Sequence, residues 1–351
     1  MKNRIPQFFN AAVLNQLNVP LEICSIQMPT PGYGQILVKM HLSGVCRSQL
    51  MEARGNRGDD PYLPHLMGHE GVGEVLEVGK GVTKVSIGDR VILGWIKGSG
   101  IDAGGSVLKD SNDQDINAGP VTTFSEYSLV SENRLTKCPE GISDPFAVLL
   151  GCALPTGAGM VLNQIKPIQN RTVALIGLGG IGISSLIMLR HFSPKDIVVI
   201  DIESEKLQLA EELGANDTYL SNPDSINALR QNYPKGFDYV IESAGRCDTI
   251  ELAFELTHKQ GICYFASHPP VGQKIKLDPH QLICGKTIKG TWGGGCNPDS
   301  DLERIAAIIK TMDIPISKLF SKIYSLNQIN VAFQDLAQRK VIRAMVSFKN
   351  E

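Results

Sequence analysis

The chain has 351 residues, of which 42% are hydrophobic and 20% are charged, and its formal net charge is −2. This length exceeds what one ordinary hydrophobic core requires, so we expect two domains. The near-neutral charge provides no long-range attraction for nucleic acid or for an anionic membrane surface. These properties favour a small neutral substrate over either of those partners.

The N-terminus and the cysteines indicate a cytosolic protein. Met1–Leu17 mixes polar residues and proline with its apolar residues and lacks the continuous apolar stretch of a signal peptide. The uncharged run Phe146–Leu162 is shorter than the roughly 20 residues of a membrane span, and proline and glycines interrupt it, so we expect buried core there. The eight cysteines are dispersed. They indicate packed thiols or metal ligands and not a disulfide framework.

The first part of the chain, to about residue 150, is predicted to be rich in strands. Gln35–Leu42 alternates apolar and polar residues, as a half-buried strand does. Gly71–Val78 predicts another strand, in which Gly73 marks a bulge or a close backbone approach. The Gly- and Asp-rich stretch Lys97–Pro120 predicts a long surface loop.

Further along, buried strands alternate with helices. Thr172–Ile176 and Asp196–Ile200 are apolar runs typical of strands that are buried on both faces. Ser204–Leu213 predicts a helix that Ser204 caps and Gly214 ends. Further strands are predicted at Tyr239–Glu242, Ile262–Ala266, Thr287–Trp292 and Ile342–Phe348, with helices from Asp301 onward. This alternation predicts an α/β fold with a doubly wound parallel sheet.

A glycine-rich turn follows the first of these buried strands. The sequence Gly177-Leu178-Gly179-Gly180-Ile181-Gly182 has the G-x-G-x-x-G spacing of a dinucleotide-binding turn. Asp201 lies 19 residues beyond Gly182, at the end of the next strand. Its carboxylate can accept hydrogen bonds from both adenosine ribose hydroxyls and would repel a 2′-phosphate. We therefore predict that the turn and Asp201 bind NAD rather than NADP.

Four further motifs precede this turn. They are Gly44-Val45-Cys46-Arg47-Ser48, Gly68-His69-Glu70-Gly71-Val72-Gly73, Gly88-Asp89-Arg90-Val91 and Gly151-Cys152-Ala153-Leu154-Pro155-Thr156-Gly157. In this order they resemble the zinc-dependent alcohol/polyol dehydrogenase branch of the medium-chain dehydrogenase/reductase superfamily. The resemblance implies a β-rich GroES-like catalytic domain at residues 1–153 and 293–351. It also implies a Rossmann NAD-binding domain at residues 154–292.

The resemblance also implies a metal site. Cys46, His69 and Cys152 would hold one catalytic zinc, because two thiolates and a neutral imidazole balance its charge and leave a fourth position open. Zinc bound in this way lowers the pKa of an alcohol. Glu70 would lie behind the metal and ligate it during substrate exchange; an ion pair with a nearby arginine is the alternative. Ser48 matches the hydroxyl that takes the substrate proton.

Other positions match cofactor and substrate contacts of the superfamily. Arg47 and Arg343 resemble its pyrophosphate-binding arginines, and Lys206 resembles the lysine that reaches the adenosine ribose. Each could instead be a solvated surface charge. Thr156 is expected beside the nicotinamide ring. Trp95 and Trp292 fall at pocket-wall positions, with ordinary core packing as the alternative.

Three departures from the superfamily pattern stand out. Gln49 replaces an acid that orients the zinc-bound histidine, so its amide cannot stabilise the imidazole by charge. Met51 replaces a relay histidine, and protons must therefore leave by the ribose, water or another group. The stretch between Trp95 and Pro120 contains none of the four cysteines that usually bind a structural zinc. We predict one zinc per chain, and a homodimer or homotetramer.

These residues predict a zinc-dependent enzyme that transfers a hydride between an alcohol and NAD. A polyol, a sugar derivative or a secondary alcohol suits the bulky walls and polar 97–117 stretch better than ethanol does. One alternative is a zinc-free quinone or enoyl reductase of the same superfamily. The other is a nucleotide-binding protein without catalytic turnover, which Gln49 and Met51 would allow.

Overall fold

The computed structural model describes residues 5–166, 168–312 and 314–349. The chain forms two compact units. The first contains Met1–Cys152, Asn297–Ala306 and Pro315–Glu351, and the second contains Ala153–Cys296 and Ala307–Ile314. The predicted domain limits stay a prediction. Their outermost residues, and the first four residues of the segment analysed for a signal peptide, lie outside the described residues.

Residues 5–150 contain ten strands and two α-helices. The strands are β1 (Phe8–Leu14), β2 (Glu22–Gln27), β3 (Gln35–Val45), β4 (His65–Leu66), β5 (Glu70–Val78), β6 (Arg90–Gly94), β7 (Ser106–Lys109), β8 (Asp115–Ala118), β9 (Tyr127–Ser131) and β10 (Leu135–Lys137). The helices are α1 (Arg47–Ala53) and α2 (Asp144–Leu149).

The remainder alternates helices and strands. In chain order these are α3 (Ala153–Asn163), β11 (Thr172–Ile176), α4 (Gly180–Phe192), β12 (Asp196–Asp201), α5 (Ser204–Glu212), β13 (Asp217–Leu220), α6 (Pro223–Asn232), β14 (Phe237–Glu242), α7 (Cys247–Leu256), β15 (Thr257–Phe265), α8 (Pro279–Ile283), β16 (Thr287–Gly290), α9 (Pro298–Thr311), β17 (Lys322–Ser325), α10 (Ile329–Ala337) and β18 (Ala344–Ser347).

Two sheets build the first unit. One has the strand order β2-β1-β4-β8-β7, and the other has the order β10-β6-β5-β3-β18-β17, with β9 also paired to β3. The register between β3 and β5 shifts opposite Gly73, where an added Cβ would lie 2.3 Å from the Lys39 carbonyl oxygen. The bulge or close backbone approach predicted at Gly73 is therefore confirmed.

The prediction that Lys97–Pro120 is a long surface loop was wrong for about half of this stretch. Strands β7 and β8 pair there as a hairpin, with Leu108 opposite Ile116. Both side chains are buried and belong to a core cluster with residues of β1 and β2. Leu108 of β7 and Ile116 and Ala118 of β8 supply this buried face, whereas Val107 is exposed. The surrounding composition is typical of a loop, which is why the hairpin was not predicted.

The second unit contains one six-stranded sheet of order β13-β12-β11-β14-β15-β16, with every neighbouring pair parallel. This is the strand order of a doubly wound dinucleotide-binding sheet, so the predicted fold class is confirmed. Helix α5 begins at Ser204, but Glu203 occupies the N-cap position, one residue before the predicted cap. Gly214 follows the helix with a φ of 99°.

Helices α2 and α3 occupy the uncharged run Phe146–Leu162, whose residues are buried throughout. The expectation that this run is core is confirmed. Among the residues described here, no helix has both the length and the apolar character needed to cross a bilayer.

Candidate active site

Four possible metal ligands converge in the first unit. Cys46 follows β3 and occupies the N-cap position of α1. His69 directly precedes β5, Glu70 is its first residue, and Cys152 follows α2. The ligand atoms of all four residues lie within 4.8 Å of one another. The structure thus brings together the three residues predicted as zinc ligands and places Glu70 beside them.

Two glycines of the motifs make this convergence possible. Gly68 has a φ of 97°, and a Cβ there would lie 2.6 Å from the backbone nitrogen of Phe124. A Cβ at Gly44 would lie 2.6 Å from the Glu70 carboxyl carbon. Because glycine has no side chain, the chain can turn at residue 68 and leave room for Glu70 at residue 44.

Glu70 is paired with an arginine from the far end of the chain. Strand β18 pairs antiparallel with β3, with Ala344 opposite Val45, so Arg343 lies next to the segment that carries Cys46. Arg343 Nη2 lies 3.0 Å from Glu70 Oε2, and both residues are buried. The alternative considered for Glu70, an ion pair, is therefore present. Ligation by Glu70 and pyrophosphate binding by Arg343 stay predictions.

The electrostatics of the group favour one thiolate. The pKa of Cys46 lies well below its usual range, first because of a hydrogen bond with Cys152, and the nearby positive charge of Arg343 also lowers it while burial opposes both. The same hydrogen bond and burial raise the pKa of Cys152 well above its usual range. Burial raises the pKa of Glu70 to about 7, although Arg343 opposes this. A metal cation would remove the remaining thiol proton, since thiolate is the ligating form.

These residues fit a zinc ion. His69 Nε2 is buried and has no hydrogen-bond partner among the described residues. Buried polar atoms normally have a partner, so an unpartnered imidazole nitrogen beside two sulfurs indicates a ligand. Two cysteine sulfurs and an imidazole nitrogen are a donor set of catalytic zinc sites, and a carboxylate oxygen can add to it.

Helix α1 carries two more residues singled out from the sequence. Ser48 is half-buried in its first turn. Gln49 is buried, and its Oε1 accepts a hydrogen bond from the Cys46 backbone nitrogen at 3.0 Å. The Gln49 oxygen therefore holds the cysteine ligand's backbone. Its buried Nε2 has no partner among the described residues.

Two buried hydroxyls near Glu70 were not predicted from the sequence. Ser43 Oγ donates to the Glu70 carbonyl oxygen at 2.9 Å, and Thr123 Oγ1 donates to the same oxygen at 3.1 Å. Together they fix the backbone next to His69. The sequence does not indicate which carbonyl Ser43 reaches, because its acceptor lies 27 residues further along the chain.

The glycine-rich turn of the second unit joins β11 to α4. Gly177 has a φ of 88°, and a Cβ at Gly182 would lie 2.0 Å from the Gly177 carbonyl oxygen. A Cβ at Gly179 would meet nothing within 4 Å. Gly180 and Ile181 form the first turn of α4. The turn therefore has the tight bend, the open backbone and the helix N-terminus that a pyrophosphate requires, and these features fit NAD.

Asp201 closes the turn from the end of β12. Its Oδ2 accepts a hydrogen bond from the Leu178 backbone nitrogen at 2.6 Å, and its Oδ1 accepts one from Glu203 at 3.0 Å. A carboxylate has about four lone-pair sites, so acceptor capacity remains for ribose hydroxyls. Lys206 is half-buried and forms an ion pair with Glu203 at 2.8 Å. Its contact with the ribose stays a prediction.

The other predicted contacts are distributed over both units. Thr156 is buried on α3. Arg47 is exposed at the start of α1. Trp95 is half-buried, whereas Trp292 is 81% exposed, so the alternative of ordinary core packing is wrong for Trp292. The pocket-wall and cofactor roles of these residues stay predictions.

Comparisons with known proteins agree with this arrangement. Residues 32–140 match the alcohol dehydrogenase GroES-like domain, and residues 180–311 match the zinc-binding dehydrogenase family. The chain is 30% identical to S-(hydroxymethyl)glutathione dehydrogenase of Synechocystis sp., over 96% of this chain and 99% of that protein.

Solved structures show the same fold. An alcohol dehydrogenase zinc-binding domain protein from Burkholderia ambifaria superposes with a TM-score of 0.88 at 25% identity, covering 98% of this chain and 99% of the other. Benzyl alcohol dehydrogenase from Acinetobacter calcoaceticus gives a TM-score of 0.87 at 22% identity, with 98% and 100% covered.

The chain belongs to the zinc-dependent alcohol dehydrogenases of the medium-chain dehydrogenase/reductase superfamily. It is an NAD-dependent oxidoreductase that acts on an alcohol or the corresponding carbonyl compound. The family assignment and the donor group around Cys46 favour the zinc-dependent reaction over that of a zinc-free reductase.

Proposed function

We propose that this enzyme oxidises a polyol, a sugar-derived alcohol or a secondary alcohol with NAD, using one resident zinc ion bound by Cys46, His69 and Cys152. The observation that carries the proposal is the convergence of these ligand atoms within 4.8 Å, together with the buried His69 Nε2, which has no hydrogen-bond partner among the described residues. Two similar proteins are named for S-(hydroxymethyl)glutathione and benzyl alcohol, both larger than ethanol. This supports a substrate larger than ethanol here.

The residues of the first unit have different roles in the reaction. A bound zinc supplies a Lewis acid that lowers the pKa of an alcohol, and NAD supplies the acceptor for the hydride. Ser48, two residues after Cys46, accepts the proton of the substrate hydroxyl. Arg343 cancels the charge of Glu70, so that the two thiolates alone balance a dication.

The proton then needs a route away from Ser48. Met51 lies one helical turn further along α1, and its thioether cannot carry a proton. We therefore assign the next step to a ribose hydroxyl of the cofactor or to water. This differs from superfamily members that have a histidine at this position.

Several features of the second unit support NAD as the cofactor. Asp201 adds a negative charge where a 2′-phosphate would bind, and Lys206 is already paired with Glu203. We assign Gly177, Gly179, Gly180, Ile181 and Gly182 to the pyrophosphate-binding turn, with Arg47, Arg343 and Thr156 as further contacts. Trp95 and Trp292 are assigned to the substrate pocket.

The proposal extends to assembly and compartment. No disulfide joins any cysteines in the part of the chain that the structure describes, which supports a cytosolic location. The stretch from Trp95 to Pro120 contains no cysteine, which supports one resident zinc and no structural zinc. The enzyme is proposed to act as a homodimer or homotetramer, which sedimentation would determine.

The test combines metal content with a substrate panel. Dialysed enzyme should retain one zinc per chain and reduce NAD with polyols or secondary alcohols at a higher kcat/KM than with ethanol. The Cys46→Ala variant should lose the zinc and at least a thousandfold in activity while still binding NADH. Cys24→Ala, which removes a half-buried thiol of β2, is the matched control and should keep both.

Four results would overturn this proposal or a part of it. Ethanol as the best alcohol would contradict the substrate class, and two zincs surviving dialysis would contradict the single resident ion. Full activity of the zinc-free Cys46→Ala enzyme would contradict the zinc-dependent reaction itself. An absence of NADH formation with every alcohol would instead favour a nucleotide-binding protein without turnover.

A further inference from the structure

A second group of metal-ligand side chains lies in the first unit, outside the active site. Glu52, Asp60 and His65 each offer a ligand atom, and these atoms lie within 4.8 Å of one another. Glu52 belongs to α1, His65 is the first residue of β4, and Asp60 lies in the segment between them. None of the three has a role in the reaction proposed above.

The hydrogen bonds of His65 leave a nitrogen lone pair pointing at a carboxylate. His65 Nδ1 lies 2.8 Å from the Leu66 carbonyl oxygen, and because a carbonyl can only accept, Nδ1 carries a proton. Nε2 then faces Asp60 Oδ2 at 2.9 Å. Two acceptors at this distance need a positive species between them, either a second proton on the imidazole or a cation.

The geometry suits a cation. The three ligand atoms lie within 4.8 Å of one another, so one cation can reach all of them. Tetrahedral ligands at about 2.1 Å from a zinc ion are about 3.4 Å apart, so His65 Nε2 and Asp60 Oδ2, now 2.9 Å apart, need to separate by only about half an ångström. A backbone carbonyl that accepts from the other ring nitrogen is also the usual second partner of a metal-binding histidine. His65 is 7% exposed, so its orientation is held by the surrounding core.

Glu52 supplies a third donor atom. An ion pair between a protonated His65 and Asp60 would not require this third group, whereas a metal ion would use it. The Glu52 carboxylate forms a long ion pair with Arg57, whose Nη1 lies 3.8 Å from Glu52 Oε2 and is beyond hydrogen-bonding distance. Asp60 Oδ1 accepts from the Tyr62 backbone nitrogen at 3.0 Å, which leaves Oδ2 for a ligand. One imidazole and two carboxylates form a donor set for zinc and neighbouring divalent transition metals.

We propose that Glu52, Asp60 and His65 form a second, exchangeable site for a divalent transition-metal cation such as Zn²⁺. Glu52 and Asp60 are partly exposed, and the positive charge of Arg57 lies near Glu52. We therefore expect the site to be weaker than the one at Cys46, so that its ion is lost on dialysis whereas the resident zinc stays.

An ion at this site would connect two segments that carry active-site residues. Helix α1 begins next to Cys46 and contains Ser48, and β4 leads to His69 four residues after His65. The cation would hold the end of α1 against the start of β4. Its binding should therefore stabilise the folded enzyme without contacting the substrate.

The experiment uses dialysed holoenzyme that already contains its resident zinc. Isothermal titration calorimetry with Zn²⁺ should show that one further ion binds per chain with micromolar affinity. The midpoint of thermal unfolding should rise when this site is saturated. Asp60→Asn should weaken this binding at least tenfold and remove the rise. Asp59→Asn, which changes the exposed neighbouring carboxylate by the same charge, is the matched control and should bind like the wild type.

Glu52→Gln provides a second variant that leaves the contact between His65 and Asp60 intact. It should also weaken Zn²⁺ binding about tenfold while its circular dichroism spectrum stays unchanged. If the wild type takes up no further ion at millimolar Zn²⁺, the group is an imidazolium–carboxylate ion pair and the proposal is wrong. Equal affinities in Asp60→Asn and Asp59→Asn would overturn it as well. Neither result would bear on the resident zinc.

Discussion

Arg343 and Glu70 form a buried ion pair between residues 273 positions apart in the chain, with Nη2 and Oε2 separated by 3.0 Å. Within the described part of the chain, Arg343 Nε and Glu70 Oε1 have no hydrogen-bond partner. Removing one member of a buried pair leaves the other charge without compensation, which costs more than the pair itself contributes.

We expect Arg343→Met to lower the free energy of unfolding of the holoenzyme by about 3–5 kcal/mol, because Glu70 would stay buried without its cation. Urea unfolding followed by tryptophan fluorescence measures this change. The matched control is Arg246→Met, which removes an exposed ion pair with Asp248 and should cost less than about 1 kcal/mol. If both variants lose the same free energy of unfolding, the buried pair contributes no more to stability than the exposed pair.

Asp201 is expected to determine the preference for NAD. Asp201→Ser removes the carboxylate that would repel a 2′-phosphate, so the ratio of kcat/KM for NAD to that for NADP should fall at least tenfold. Steady-state kinetics with both cofactors measure the ratio. Asp196→Ser changes an aspartate at the opposite end of β12 and should leave the ratio unchanged. A wild-type enzyme with the lower KM for NADPH would contradict the prediction at once.

Glu242 should make stability depend on pH. Burial raises its pKa from the usual value near 4.5 to about 6, although Thr249 and backbone nitrogens donate hydrogen bonds to it. Between about pH 4.5 and 6 the folded state therefore binds more protons than the unfolded state. The stabilising contribution is complete below pH 4.5 and is lost as the pH rises through 6, a change of about 2 kcal/mol.

The Glu242→Gln variant isolates this contribution. It has no carboxyl group to titrate at this position. Its free energy of unfolding should therefore decrease less between pH 4.5 and 6.5 than that of the wild type. Urea unfolding at several pH values gives both curves. Glu205→Gln alters an exposed glutamate of α5 and should follow the wild-type curve. Parallel curves for the wild type and Glu242→Gln would contradict the raised pKa.

Gln49 is expected to slow the release of zinc. Gln49→Ala removes the acceptor of the Cys46 N–H bond and should speed zinc transfer to a chromogenic chelator about tenfold, because the ligand at the start of α1 is less constrained. Gln49→Glu keeps an acceptor oxygen and should restore slow release. Gln35→Ala removes a comparable bond to the Gly32 backbone nitrogen, away from the site, and serves as the control. If Gln49→Ala releases zinc as slowly as this control, the positioning role is absent.

The parallel sheet and its turn could be predicted because their signals are local. The buried strands at Thr172–Ile176 and Asp196–Ile200 are continuous apolar runs, and β11 and β12 occupy them. Gly177 and Gly182 mark a turn whose geometry only glycine permits. By contrast, the hairpin of β7 and β8 was missed, because two short buried faces stand among residues typical of loops.

The metal group shows the opposite case. The spacing of Cys46, His69 and Cys152 does not predict that they meet, and only the resemblance to a family identified them. The bond that Gln49 Oε1 accepts from the Cys46 backbone nitrogen was not predicted either. Which acceptor a side chain reaches depends on the local turn and not on residue type.

The sequence by itself determined the class of fold and the nucleotide-binding turn, because periodicity and glycine spacing act over a few residues, and its resemblance to a family indicated the possible zinc ligands. Only the tertiary structure decided that Glu70 meets Arg343 and that Glu52, Asp60 and His65 form a second group. These contacts depend on how distant segments pair, as β18 does with β3. Such pairing depends on which residues the whole core buries, and no local sequence pattern carries that information.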